Sequence, residues 1–250
     1  MKKHHSSCES RELLTQYFDT VEKLNLHPSG KRLKFNLESI FSNIDFKNKR
    51  VLDIGGGFGL ISFYAAVKGA KTVVCIEPEA DGSTNGANVK FDLLLNDLGI
   101  HNVSILPRTF QEYENDKSFD IIILNNSINH LNEDKCIVLR NSKEAQTEYK
   151  SYFDKMYQLS NIDAHIVICD CSNSNFFNDI GVRNPFMPTI EWEKHQSPSF
   201  WTELMSQSGF KLDSINWTTF NRTGKVGKFV MGNKYLSYFL QSHFCIKLQK

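Results

Sequence analysis

Two hydrophobic rhythms alternate along the chain. Short apolar, β-branched runs stand between stretches in which apolar side chains return every three or four residues. The runs predict strands at 51–54, 72–76, 102–106, 120–124, 165–169, about 210–220 and 243–248. The periodic stretches predict helices. Residues 9–25 put Leu13, Leu14, Tyr17, Phe18, Val21 and Leu24 on one face, and 32–43 do the same with Leu33, Leu37, Ile40 and Phe41. His27-Pro28-Ser29-Gly30 separates the two. A third helix opens at Leu60, with Ile61, Tyr64 and Ala65 at helical spacing. Residues 85–98 turn Phe91, Leu94, Leu95 and Leu98 inward and stop at Gly99. Residues 145–159 turn Tyr149, Tyr152, Phe153, Met156 and Tyr157 inward. Ser197 caps a further helix with Pro198 at its first position, Trp201, Leu204 and Met205 inward, and Gly209 at its end. A short helix at 235–241 precedes the last strand.

Strand–helix alternation through five strands is the pattern of a doubly wound α/β fold. Within the run 120–124, Ile121, Ile122, Ile123 and Leu124 follow one another without a break, as expected of a central parallel strand buried on both faces. Residues 79–83 read as a loop. Residues 172–196 are irregular, with Pro185 and Pro188 inside them and Pro198 just beyond. A loop this long within a compact domain is usually functional or disordered, and its aromatic content argues against disorder. No internal repeat or low-complexity segment interrupts the pattern.

A length of 250 residues fits one domain plus embellishments. The formal charge of +1 hides an uneven distribution. Residues 51–209 carry 12 basic and 21 acidic side chains, while 210–250 carry 7 basic and 1 acidic. The basic tail reads as a solvated face, or as a surface for an anionic substrate, membrane or nucleic acid. Six cysteines, Cys8, Cys75, Cys136, Cys169, Cys171 and Cys245, form no CxxC pair, and Cys169-Asp170-Cys171 is too tight for a zinc site. Reduced thiols and a cytoplasmic setting are expected. The start of the chain is charged, with no apolar core of a signal peptide behind it, and no apolar run approaches the roughly 20 residues of a membrane span.

The stretch with chemistry in it is Val51-Leu52-Asp53-Ile54-Gly55-Gly56-Gly57-Phe58-Gly59. A strand, a glycine turn and a helix bring bare main chain and a helix N-terminus to one point. Dinucleotide binders want G-x-G-x-x-G/A at such a turn; Gly55 and Gly57 fit that pattern, but Leu60 stands at its last position. The alternative, acidic-x-Gly-x-Gly-x-Gly, is matched in full by Asp53, Gly55, Gly57 and Gly59. The following strand ends in Glu77-Pro78, where Glu77 is placed to accept hydrogen bonds from both hydroxyls of a ribose. The competing readings are an ordinary tight turn and a solvated surface glutamate.

These residues resemble the first motifs of the class I S-adenosylmethionine-dependent methyltransferases. The resemblance covers roughly residues 45–250 and is strongest at 51–78. It implies a Rossmann-like, seven-stranded, mostly parallel sheet with an antiparallel last strand and helices on both faces. It also implies an N-terminal helical cap over 1–44, a methyltransferase domain over 45–250 and a substrate loop over 172–196. The cofactor implied is S-adenosylmethionine. Asp53 would face its ammonium, Gly55, Gly56, Gly57 and Gly59 would admit its amino-acid tail, and Glu77 and Pro78 would hold its ribose. Its adenine would lie at Pro107-Arg108-Thr109-Phe110-Gln111. The family usually has an Asp about where Thr109 stands, so Gln111 is the candidate contact to the adenine amine, and Phe110 packs on the ring or in the core. Asn125 and Asn126, at the exit of the fourth strand, complete the cofactor candidates.

That exit also bears on the acceptor. Asn125-Asn126-Ser127-Ile128 lacks the prolines of base and amide N-methyltransferases, and the chain has no Pro-Cys nucleophile. Uncharged Asn125 and Asn126 give a hard cation no carboxylate, so no metal is expected. The paired-glutamate loop of arginine methyltransferases is missing. The remaining likeness is to small-molecule O-methyltransferases, with a looser one at 183–209 and 235–250 to enzymes of polysaccharide and glycolipid biosynthesis. An O-methyltransferase must hold a hydroxyl in line with the methyl and remove its proton. His130 is the first candidate base; His195, in the long loop beside Trp192 and Glu193, is the second. For each the competing reading is a structural, hydrogen-bonded histidine. The acceptor expected is a small molecule or glycan, anionic if Arg183 and the basic tail face it, and no nucleic acid partner is expected. Two alternatives stay open: a nicotinamide-dependent oxidoreductase, which Leu60 opposes, and a non-catalytic S-adenosylmethionine-binding protein.

Overall fold

The computed structural model describes residues 2–78, 86–115, 117–218 and 224–250, with side chains other than those of 2–10, 225, 226 and 228. The loop expected at 79–83, the expected strand end at 219–220, residues 221–223 and the Cys8 side chain lie outside the described residues. The strands are β1 (Arg50–Ile54), β2 (Thr72–Ile76), β3 (Val103–Leu106), β4 (Phe119–Asn125), β5 (Ser160–Cys171), β6 (Lys211–Trp217) and β7 (His243–Gln249). The helices are α1 (Lys2–Lys23), α2 (Gly30–Ile40), α3 (Leu60–Val67), α4 (Ala87–Leu98), α5 (Glu133–Val138), α6 (Lys143–Leu159), α7 (Phe176–Asp179), α8 (Pro198–Ser206), α9 (Gly224–Met231) and α10 (Lys234–Phe239). Single 3-10 turns lie at Asn129–Leu131 and Trp192–Lys194. The strand order is β3-β2-β1-β4-β5-β7-β6. β2 runs parallel to β1 and β3, and β7 runs antiparallel to β5 and β6. This is the mixed, mostly parallel sheet expected. Among the described residues no helix is long and apolar enough to cross a membrane.

The chain divides into two compact units. The first holds Met1–Glu114 and Phe119–Ile123; the second holds Asn115–Ser118 and Leu124–Lys250. In the first, Val51 and Leu52 are fully buried, and an aromatic cluster forms from Tyr17, Phe18, Phe41, Phe46 and Tyr64. Burying each such ring stabilises the unit by roughly 1.5–3 kcal/mol. α1 packs on α2, α3 and α4. The Tyr17 hydroxyl donates to the Leu60 carbonyl at 2.6 Å, so the N-terminal helix is fastened to the first turn of the helix that leaves the glycine turn.

In the second unit, α6 and α8 pack together through Tyr149, Phe153 and Trp201, with Trp201 fully buried and 5.4 Å from the Tyr149 ring. Ser197 and Pro198 start α8 as expected, the Ser197 side chain accepting from the Phe200 amide. The β5–β7 register sets Cys169 opposite Cys245, Asp170 opposite Phe244 and Cys171 opposite His243. β5 starts earlier than the apolar run indicates. Its opening residues, Ser160 to Ala164, include polar side chains and an Ile162 that is 86% exposed, so no hydrophobic signal marks them. α5, α7 and α9, of 6, 4 and 8 residues, are not among the expected helices.

Candidate functional site

In the first unit β1 ends at Ile54 and the chain turns through Gly55 to Gly59 into α3. Gly55, Gly57 and Gly59 have φ of 69°, 56° and 76°, where a side chain is strained. Gly56 is needed for another reason: a Cβ there would lie 2.5 Å from Cys75 Sγ and 2.8 Å from Asp53 Oδ2. The turn is laced to the end of β2. The Gly55 amide donates to the Ile76 carbonyl at 2.7 Å, and the Gly57 amide donates to Glu77 Oε2 at 2.8 Å. Turn and acidic strand end, separate signals in the sequence, thus meet directly.

Asp53 lies beneath them. It is 1% exposed, and its Oδ2 accepts from Ser62 Oγ at 2.7 Å. Its Oδ1 is buried with no hydrogen-bond partner among the described residues. Burial pushes the Asp53 pKa up to about 6; the Ser62 hydrogen bond opposes this, and the charge of Glu77 adds to it. Two carboxylates therefore press on each other beside bare main chain. Such a site accepts a cation and opposes a pyrophosphate. A nucleoside with a sulfonium and an ammonium group fits that charge, and a dinucleotide fits it poorly.

The other cofactor candidates differ in setting. Pro78 is half-buried next to Glu77, Phe110 is buried and Gln111 is exposed. Thr109, in the position where the family usually has an Asp, gives both its amide and its hydroxyl to Glu112 Oε2, at 3.0 and 2.9 Å. That pair closes residues 109–112, the turn that carries Phe110 and Gln111.

In the second unit the chain carries a cluster of imidazoles. Asn125 is half-buried at the end of β4. Asn126 has φ 54°, its amide donates to the Cys169 carbonyl at 2.7 Å, and its Oδ1 lies 3.0 Å from His243 Nε2. His243 Nδ1 is 2.9 Å from Thr218 Oγ1. Burial holds the His243 pKa below its ordinary value; His195 pushes it the same way and Asp170 the opposite way. His243 is thus a neutral imidazole whose Nε2 donates to Asn126.

His195 Nδ1 lies 3.0 Å from Asp170 Oδ1, which also accepts the Cys171 amide at 2.7 Å. Asp170 is fully buried, and its Oδ2 has no partner among the described residues. The sequence suggests Glu193 as the carboxylate beside His195; the one present is Asp170, from β5. Sequence reasoning misses it because Cys169-Asp170-Cys171 draws attention only as a metal motif. The available signal is an acid inside an otherwise apolar buried strand.

His130 stands on the turn Asn129–Leu131, with its Nδ1 on Glu133 Oε1. Its side chain is 51% exposed, against 15% for His195. Lys194 joins the two neighbourhoods by pairing with Glu133 and Glu191, each at 2.9 Å. It lowers the Glu133 pKa, with a smaller contribution from His130. Trp192 is buried, Trp201 belongs to the core, and Arg183 donates to the Pro188 carbonyl. Among the described residues no group of three or more His, Cys, Asp or Glu is spaced to hold a metal ion.

A family profile described as a methyltransferase domain matches residues 45–209. The histone-arginine methyltransferase CARMER of Drosophila ananassae is 35% identical over 82 residues, which are 33% of this chain and 14% of that relative. The chain therefore spans only a small part of the curated relatives it matches. Two solved structures share the fold. An S-adenosylmethionine-dependent methyltransferase from Mesorhizobium loti superposes with a TM-score of 0.59 at 11% identity, covering 86% of this chain and 96% of that one. One from Aquifex aeolicus gives 0.58 at 16%, covering 91% and 97%.

Proposed function

We propose, from the premise that this chain belongs to the methyltransferase-domain family and is an S-adenosylmethionine-dependent methyltransferase, that it methylates a hydroxyl of a small molecule or glycan with His195 as the base. The family match sets aside the nicotinamide reading. When bound, the cofactor supplies an electrophilic methyl on a sulfonium. Its holders in this reading are the glycine turn at 55–59, Asp53 and Glu77, whose paired negative charges favour a cation.

The observation that carries the choice of base is the His195–Asp170 pair. An ionised carboxylate can only accept, so the proton of a neutral His195 sits on Nδ1 and the lone pair on Nε2. The imidazole is oriented by a partner that is itself buried and fixed by a backbone amide. His195 Nε2 would take the proton of the acceptor hydroxyl as that oxygen receives the methyl, the carbon–sulfur electron pair being left on sulfur. Asp170 then faces an imidazolium and stabilises it.

The test is methyl transfer from labelled cofactor to a panel of hydroxylated acceptors. His195→Gln should lower turnover by about 10²–10⁴-fold while calorimetry finds cofactor affinity unchanged. Full turnover in that variant would remove His195 from the mechanism. A second reading, methylation of a protein arginine, is favoured by the CARMER match. Transfer to an arginine-containing histone peptide, with none to any hydroxyl, would establish it instead.

A further inference from the structure

Within the second unit lies a cavity of about 710 Å³ that the chemistry above does not use. Its wall includes Arg140, Ser172, Ser197, Trp217, Lys234 and Tyr238. A concave site of this size suits a small molecule. Both ionised side chains on the wall are cations; among the described residues no carboxylate lines it. Arg140 is held in place, donating from Nε to Gln196 Oε1 at 2.9 Å and from Nη2 to Ser197 Oγ at 3.0 Å. Its guanidinium carbon stands 5.1 Å from the centre of the Phe200 ring. Trp217 and Tyr238 are likewise braced, the first edge-on to Phe244 at 6.1 Å, the second by donating to Asp179 Oδ2 at 2.8 Å. Arg140 therefore grips the two residues that follow His195 in the chain.

We propose that this cavity binds the methyl acceptor and selects a small hydroxylated aromatic ring that bears a carboxylate. The inference rests on the reading of His195 as the base and names the substrate class for it. The aromatic walls, with Ile215 and Pro198 beside them, take a flat apolar ring. Arg140 and Lys234 take its carboxylate, Arg140 with the planar donor geometry that carboxylates match. Ser197 offers a hydroxyl to the remaining polar edge. A sugar phosphate answers the two cations but leaves the apolar wall unmatched.

Calorimetry on the full chain, saturated with S-adenosylhomocysteine, tests this with 3,4-dihydroxybenzoate, catechol and glucose 6-phosphate as probes. The carboxylate probe should bind about tenfold or more tightly than catechol. Arg140→Gln and Lys234→Gln should each erase about threefold or more of that preference and leave catechol affinity alone. Arg140 also braces Gln196 and Ser197, so the Lys234 variant decides the matter if Arg140→Gln disturbs the loop. Equal affinity for catechol and the carboxylate overturns the proposal. So does a preference that survives in the Lys234 variant, or tighter binding of the sugar phosphate. His195→Gln separates this from the chemistry: it should keep the preference for dihydroxybenzoate over catechol without methylating either. If it still methylates, the base assignment fails while the cavity stands.

Discussion

The glycine turn of the first unit and the histidine cluster of the second are built in opposite ways. At the turn the working groups are close in sequence: Asp53 meets Ser62 across 9 positions, and Gly57 meets Glu77 across 20. In the cluster His195 meets Asp170 across 25 positions, and His243 meets Asn126 across 117. The first depends on backbone and on the absence of side chains; the second depends on side chains that only the folded sheet assembles. A turn of the first kind suits a ligand part common to many enzymes. A cluster of the second kind can change one residue at a time, which suits an acceptor peculiar to this chain.

The sharpest way to break that contrast is at Asp170. Asp170→Asn can keep an oxygen for both the Cys171 amide and His195 Nδ1, which meet the same Oδ1, but it removes the charge that would stabilise an imidazolium at His195. Asp170 is a positioning residue, so the loss should fall on kcat, by about 10²–10⁴-fold, with KM little changed. A proportional rise in KM with unchanged kcat would instead make the pair a purely structural one.

At the turn the expected effects are smaller and fall on binding. Glu77→Ala should weaken cofactor affinity by about 1.5–3 kcal/mol, because an ionised acceptor is lost. Affinity equal to that of the parent would end the ribose assignment.

Asp53→Asn should do two things at once. With its pKa raised to about 6 in the folded chain, against about 3.9 when unfolded, Asp53 binds protons more readily in the folded state. Its ionisation therefore costs stability above about pH 6, and that cost disappears as pH falls through 6 toward 4. Without ligand, the Asp53→Asn protein should be about 1–2 kcal/mol more stable than the parent at pH 8, less than the full shift because the amide needs a partner of its own. The gap should close near pH 4, and the variant should bind the cationic cofactor more weakly at pH 8. Denaturant melts at the two pH values measure the first effect; a parent that gains nothing on acidification would show that the burial of Asp53 carries no such penalty.

The same contrast explains what the sequence disclosed. Thr72–Ile76 was legible to the residue because a β-branched run is a local signal, and so was Gly99 as the end of α4, with φ 60°. Asp53, the glycines and Glu77 were legible because their spacing is itself the motif. Asp170 was not, since its partner comes from a loop with no period, and neither was Arg140, whose partners lie 56 and 57 positions away. The β5–β7 pairing that sets Cys171 opposite His243 is another long-range product of the sheet.

The smallest predicted effect tests the most local of the histidine contacts. His130 and Glu133 are three residues apart, and their side chains are 51% and 38% exposed. Solvent screens such a pair, and exposed ion pairs contribute about 0.2–1 kcal/mol. Glu133 has a second partner in Lys194, so it is not left uncompensated when His130 is removed. His130→Ala should therefore change turnover by less than about threefold and stability by less than about 0.5 kcal/mol, with no shift in the pH profile. A loss on the scale expected for Asp170→Asn would reverse the comparison, making the exposed histidine the base and the buried pair its scaffold.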